Sequence, residues 1–233
     1  MGNKKIEIIL RQCFYSPCIE QPNRYRPEWF SKQKIFFNLL YTTNFEVANL
    51  NIIYDKHFGP KEDTMLKRWE TIDIDCGTEM ESFIETINIV EKMKLNDDTI
   101  VYFLEDDYLH KDNWCKALLE GFETPANFVT LYDHPDKYGE GYEDLKSHIY
   151  LTESCHWRTI PSTTNTFATR YKTLMDNKQH HIDWSTDIPT GITNDSGRWE
   201  VLEREGNVLV SSIPGYSTHV NDQMSPLNKW EYE

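Results

Sequence analysis

The run Ile100-Val101-Tyr102-Phe103-Leu104 constrains the fold more than any other stretch of this chain. Successive side chains of a strand point to opposite faces, so five apolar residues in a row need cover on both sides, as in the inner strands of a parallel sheet. The run follows the turn-prone Asn96-Asp97-Asp98 and ends on Glu105-Asp106-Asp107. Three carboxylates therefore stand at the C-terminal edge of a buried strand, which is where open α/β sheets bind their ligands. Adjacent carboxylates repel one another and need compensation, and hard oxygen donors at such an edge suit Mg2+ or Mn2+ bridging a diphosphate. A solvated turn accounts for three acids as readily, so the surrounding pattern has to decide.

That pattern alternates strands with helices. Ile6 to Leu10 reads as a first strand, Leu50 to Tyr54 as a second, Thr71 to Cys76 as a weaker third, and Phe128 to Tyr132, Ile149 to Thr152 and Val208 to Ser212 as later ones. Trp29, Phe30, Ile35, Phe36, Leu39 and Leu40 recur at helical spacing after Pro27. Met80, Phe83, Ile84, Ile87 and Val90 form one helical stripe between Thr78 and Lys94. Asp112 is placed to cap a helix running to Phe122, and Phe167 to Met175 reads as helical. Alternation of this kind predicts right-handed crossovers and a mainly parallel central sheet flanked by helices, an α/β fold. At 233 residues the chain is expected to form one domain.

The formal charge of −14 argues against nucleic acid as a partner, because binding a phosphate backbone needs an extended array of Lys and Arg. Any anionic substrate has to meet a local basic or metal-lined pocket. The five cysteines (Cys13, Cys18, Cys76, Cys115, Cys155) have no paired spacing and suggest neither a disulfide framework nor a zinc site. The start of the chain lacks the apolar stretch of a signal peptide, and no run reaches transmembrane length, so a soluble, cytoplasmic protein is expected.

Three segments in order carry a family resemblance: Ile52-Ile53-Tyr54-Asp55, Gly77-Thr78-Glu79-Met80-Glu81-Ser82, and Thr99 through Asp107. They resemble the successive landmarks of GT-A-fold glycosyltransferases, especially family-2-like ones, over most of the chain. The compact chain also resembles small glycosyltransferase domains of large DNA viruses. The resemblance implies a nucleotide-sugar-binding half over about 1–110 and an acceptor-binding half over about 111–233. It places Arg11 and Asp55 at the nucleotide, Glu105 and Asp106 on the nucleotide-sugar side with Glu105 at the ribose, and Asp107 at the metal. Glu105 departs from the Asp usual in that family. Ile213-Pro214-Gly215-Tyr216-Ser217-Thr218-His219 resembles the turn and histidine that complete the metal shell, and imidazole suits Mn2+ beside a carboxylate.

Sugar transfer with inversion also needs a base away from the metal. Ser185-Thr186-Asp187 resembles the position of the family's base motif, with Thr186 where Glu is usual. Asp187 is the expected base, with Asp183 and Asp195 in reserve. Asp133 and His134 follow a strand and could border the acceptor, and Trp157 and Trp184 offer faces for stacking a sugar. The function expected is transfer from a nucleoside-diphosphate donor, a UDP-sugar, to a hydroxyl of a glycan, with Mn2+ or Mg2+. Two other readings are a nucleotidyltransferase acting on a sugar phosphate and a non-catalytic sugar-binding module of the same fold.

Overall fold

A computed structural model describes residues 5–14, 25–139 and 141–230. The strands are β1 (Ile6–Cys13), β2 (Ala48–Asp55), β3 (Ile72–Ile74), β4 (Ile100–Glu105), β5 (Tyr108–His110), β6 (Phe128–Thr130), β7 (Ile149–Leu151), β8 (His156–Thr159), β9 (Phe167–Arg170), β10 (Leu209–Ile213) and β11 (Ser217–His219). The helices are α1 (Lys32–Thr42), α2 (Glu79–Met93), α3 (Trp114–Gly121), α4 (Tyr171–Asp176), α5 (Lys178–Asp183) and α6 (Asp195–Arg204).

Among the described residues nine strands form one sheet in the order β3-β2-β1-β4-β9-β6-β10-β8-β7, and β5 and β11 pair separately. Within the large sheet only β8 and β9 run against the common direction, so the mainly parallel architecture holds. β1 lies between β2 and β4, parallel to both. Its apolar run is explained by cover on both faces. Ile6, Ile8 and Leu10 share one core with Phe36 and Leu39 of α1 and Trp114 and Leu118 of α3. Ile9 joins the opposite core with Phe83, Ile87 and Val90 of α2, Leu174 of α4 and Trp199 and Leu202 of α6. The molecule is thus a sheet between two helical layers. Among the described residues no helix is long and apolar enough to cross a membrane.

Local chemistry sets the helix that borders the sheet edge. Thr78 caps α2 by accepting from Glu81 N at 3.1 Å, and its hydroxyl donates to the Glu81 carboxylate at 2.9 Å, which satisfies the first turn. The helix ends where Lys94 turns left-handed at φ 51°.

Three expectations shift. α1 begins at Lys32 rather than near Pro27, because Ser31 supplies the cap by accepting from Lys34 N at 3.2 Å. Asn113 rather than Asp112 stands at the N-cap position of α3, in a left-handed conformation and without a side-chain cap bond. The stretch expected to be helical from Phe167 is a strand through Arg170, held antiparallel between β4 and β6, and only then turns into α4.

One core residue is unusual. His181 of α5 is fully buried, stacked on Phe167 at 5.5 Å, and neither ring nitrogen has a hydrogen-bond partner. Burial, with Arg198 nearby, holds its imidazole well below the ordinary range, so it is neutral in the fold. Below about pH 6.5 the unfolded chain takes up a proton that the native state refuses, so this stability is present above that pH and lost on acidification, by about 1.4 kcal/mol per pH unit. His181→Leu is expected to flatten the fall in urea-unfolding free energy between pH 7 and pH 5. An unchanged slope would show that His181 is protonated without cost.

Candidate active site

The parallel register of β1, β2 and β4 aligns their C-terminal ends, with Arg11 beside Glu105 and Cys13 beside Asp55. A cleft of about 400 Å³ opens there. Among the described residues its walls hold six carboxylate side chains, Asp55, Glu79, Glu105, Asp106, Asp107 and Asp195, and two basic ones, Arg11 and His219.

Each acid of the triplet meets a different cation. Glu105 Oε1 accepts from Arg11 at 3.1 Å, and its Oε2 accepts from Thr166 Oγ1 at 3.2 Å. Arg11 also donates to Glu79 at 3.1 Å, and these two partners keep the buried guanidinium charged. Burial pushes the Glu105 carboxyl upward against the pull of Arg11, with Asp107 and Glu79 adding to the rise. Asp106 points inward, where Oδ2 accepts from Lys32 Nζ at 2.6 Å and from Cys13 N at 3.2 Å. Asp107 turns the other way, and its Oδ2 accepts from Arg26 at 2.6 Å and meets His219 Nε2 at 2.8 Å. Although burial opposes it, His219 and Arg26 hold Asp107 far below the usual carboxylate range, so it is ionised at any working pH.

His219 reaches this place through the small sheet. β5 follows the triplet directly, and β11 pairs antiparallel to it with His219 opposite Tyr108. The imidazole stacks on the Tyr108 ring at 5.1 Å and 8°. Asn221 Nδ2 lies 3.0 Å from His219 Nδ1, while Asn221 Oδ1 is taken by Gln223 N, so the Nε2 hydrogen points at Asp107.

Asp107 and His219 are a suitable carboxylate and imidazole pair for Mn2+. Among the described residues no third His, Cys, Asp or Glu joins them closely enough to make a complete protein cage. The donor set therefore fits a metal that takes its remaining ligands from a diphosphate and water, the habit of Mg2+-type sites. Arg26 and the Nε2 hydrogen share Asp107 Oδ2, so His219 can become a ligand through Nε2 only when that hydrogen leaves.

Other expected residues divide clearly. Asp55 lines the cleft, but its carboxylate accepts from the backbone N–H groups of His57 at 3.1 Å, Cys76 at 3.2 Å and Gly77 at 3.3 Å, so it clamps two loops together. Asp195, at the start of α6, lines the cleft. Asp187 lies outside it on an exposed turn with φ 54°, and Asp183 is exposed and accepts from Gln179 at 2.6 Å. Asp133 is fully buried between Arg158 at 2.6 Å and Tyr138 Oη at 2.7 Å, and His134 caps the turn 135–138; neither lines the cleft.

The tryptophans call for a correction. Trp157 is fully buried, with its indole N–H on Thr152 and its ring so close to Gly121 that an added Cβ would stand 3.0 Å from it, so it has no face for a sugar. Trp184 lies over Gly197 of α6, where an added Cβ would meet the ring at 2.2 Å, and it packs helices rather than lining the cleft.

Residues that sequence reasoning missed are the partners. Glu79, Asn165 and Thr193 line the cleft, while Lys32 and Arg26 neutralise the triplet from outside its lining. Only Glu79 carried a signal, as the residue after the Thr78 cap.

No protein-family model matches this chain, and no curated protein matches it in sequence. Solved structures do. GalNAc-T7, crystallised with UDP, GalNAc and Mn2+, superposes with a TM-score of 0.60 at 12% identity over 93% of this chain and 44% of that one. Residues 1–349 of S. aureus TarS superpose with a TM-score of 0.53 at 11% identity, over 91% of this chain and 59% of that one. The chain has the GT-A fold. This GT-A chain spans under half of the first neighbour and about three-fifths of the second.

Lys32 is the main counter-charge to buried Asp106, so Lys32→Met leaves that carboxylate unpaired. Removing one partner of a buried pair costs about 3–5 kcal/mol. Urea denaturation is expected to show a loss of that order, largely recovered in Lys32→Met/Asp106→Asn. Equal stability of Lys32→Met and wild type would refute the pairing.

Proposed function

We propose that this chain is a metal-dependent glycosyltransferase that moves a sugar from a UDP-sugar to a hydroxyl of a glycan acceptor with inversion. The observation that carries the reading is the meeting of Asp107 and His219, 2.8 Å apart, at the C-terminal sheet edge of a GT-A fold. The neighbour crystallised with UDP and Mn2+ is consistent with it. The charge of the cleft is consistent with a metal as well, because among the described residues the cations that meet its acids, Arg11, Arg26, Lys32 and Arg198, are each already engaged by a carboxylate and leave no lining cation unengaged for a diphosphate.

Asp107 and His219 would hold Mn2+ or Mg2+, which when bound neutralises charge on the departing diphosphate. Arg11 and Glu105, bonded to each other, would face the ribose, and Asp55, which fixes the backbone of residues 57, 76 and 77, would shape the nucleoside end.

For the base we assign Asp195 in place of Asp187, since Asp195 lines the cleft and Asp187 does not. Both hydrogen bonds described on its carboxylate fall on Oδ1, from Thr193 Oγ1 at 3.0 Å and Arg198 at 2.8 Å, which leaves Oδ2 for an acceptor hydroxyl. Burial raises the carboxyl above the ordinary aspartate range, toward a working base, against the pull of Arg198. The acceptor oxygen bonds to the sugar carbon as the bond to the diphosphate oxygen breaks, and the hydroxyl proton passes to Asp195 Oδ2.

A panel of UDP-, GDP- and dTDP-sugars with and without Mn2+ tests this, read as release of nucleoside diphosphate. Release from a UDP-sugar only with metal is expected, and no release from any donor, with or without acceptors, refutes the reading. Asp107→Asn is expected to lower Mn2+ affinity by at least about 10–100-fold in calorimetry with UDP. Asp195→Asn is expected to keep UDP binding and lose about 10²–10⁴-fold in turnover, the usual worth of a general base. Asp187→Asn should turn over like wild type; the reverse pattern would return the base to Asp187.

A further inference from the structure

A closed ring of hydrogen bonds surrounds Asp195. Asn165 Nδ2 donates to Glu79 Oε1 at 2.5 Å and to Thr193 Oγ1 at 2.7 Å. Thr193 N donates to Glu79 Oε2 at 2.9 Å, and Thr193 Oγ1 donates to Asp195 Oδ1. Arg198 closes the circuit, with one nitrogen on Asn165 Oδ1 at 2.7 Å and another on Asp195 Oδ1. The members come from the start of α2, the segment before β9, the loop before α6, and α6 itself. Arg198 is fully buried, and its guanidinium lies over the rings of Phe83, Phe167 and Trp199. Asn165 and Thr193 are 3% and 7% exposed, so the ring meets water chiefly at Asp195 and Glu79, which line the cleft.

We infer that Thr193 and Arg198, braced by Asn165 and Glu79, are positioning residues that fix the Asp195 carboxylate with Oδ1 engaged and Oδ2 toward the cleft. This rests on Asp195 being the base. The ring does a job that packing alone does not require. An aspartate at the first position of a helix is stabilised by the helix itself, yet here a buried arginine and a threonine both converge on one of its two oxygens. The Glu79 corner also touches Arg11, which holds Glu105. The same carboxylate thus serves the base on one side and the nucleotide contact on the other. Networks of this kind hold a reacting group in one orientation because the groups that touch it are themselves held by further bonds.

The groups facing Asp195 are Arg198 from its own helix, Glu79 from α2, Arg11 from β1 and the Thr193 hydroxyl. Removing Arg198 or the Thr193 hydroxyl takes away stabilisation of the charged form, so the Asp195 titration must move upward. Removing Glu79's charge must move it down.

The test is a carbon-13 titration of the aspartate side-chain carboxyls of the full chain, with the Asp195 signal identified by its loss in Asp195→Asn. Arg198→Gln is expected to raise the Asp195 midpoint by about one pH unit, in the range for loss of an opposite charge. Thr193→Val raises it less, and Arg198→Lys restores it toward wild type. The acidic limb of donor hydrolysis should move with the midpoint, while the Kd of UDP with Mn2+ stays within about twofold of wild type, since uniform binding is untouched. If Arg198→Gln does not fold, Thr193→Val carries the test. A midpoint unmoved in Thr193→Val, with only a lower melting temperature, overturns the positioning role. Hydrolysis by Asp195→Asn at the wild-type rate instead overturns the base assignment and with it the catalytic meaning of the ring. The first failure leaves Asp195→Asn inactive and the second leaves the midpoint shifts in place, so the two are distinct.

Discussion

The buried guanidinium of Arg11 is the interaction on which the rest of the site depends. It ends the apolar run of the central strand and bonds to carboxylates that lie 68 and 94 residues away in sequence. One of them opens α2 and the other ends β4. Desolvating two carboxylates at a sheet edge is costly unless a cation sits between them. Arg11 fills that place, and arginine suits it because its planar fork can donate in two directions at once.

The same logic governs the two acids that follow. Asp106 finds Lys32 at the first turn of α1, and Asp107 finds Arg26 and His219. Three neighbouring residues are thus neutralised from four separate segments, and the mutual repulsion of the acids becomes a set of long-range ties. Only at Asp107 does the compensation include a side chain that a metal could replace as partner. Charge pairing thereby separates one acid for exchangeable chemistry from two that hold the edge together.

Much of the architecture was legible because burial on both faces leaves an unmistakable apolar run, as in β1 and β4. The stripe of α2 was equally plain. The stretch from Phe167 was not, because its apolar residues cross a strand-to-helix junction and mimic a single helical period. At the cleft, the triplet's place at the end of an apolar strand was legible, whereas His219 reaches Asp107 through the β5–β11 pairing, which spacing does not reveal. Asp183, Asp187 and Asp195 lie within thirteen residues, and spacing cannot tell which points inward. The helix start at Asn194 and Asp195 decides it, with Arg198 one turn on. Trp157 was misread for a different reason: an indole serves a core and a sugar site equally well, and only its neighbours across the sheet distinguish the two.

The pairing of β5 with β11 has a consequence for synthesis of the chain. β5 follows the acidic triplet, whereas its only partner in the small sheet is the strand that carries His219, more than a hundred residues later. A chain emerging from the ribosome can build β1, β2 and β4 and pair Arg11 with Glu105 early. Until residue 219 is out, however, Asp107 lacks its imidazole and β5 has an open edge. The end of the cleft that joins Asp107 to His219 therefore closes last, so a chain cut short before β11 can pair its first strands but lacks the imidazole beside Asp107.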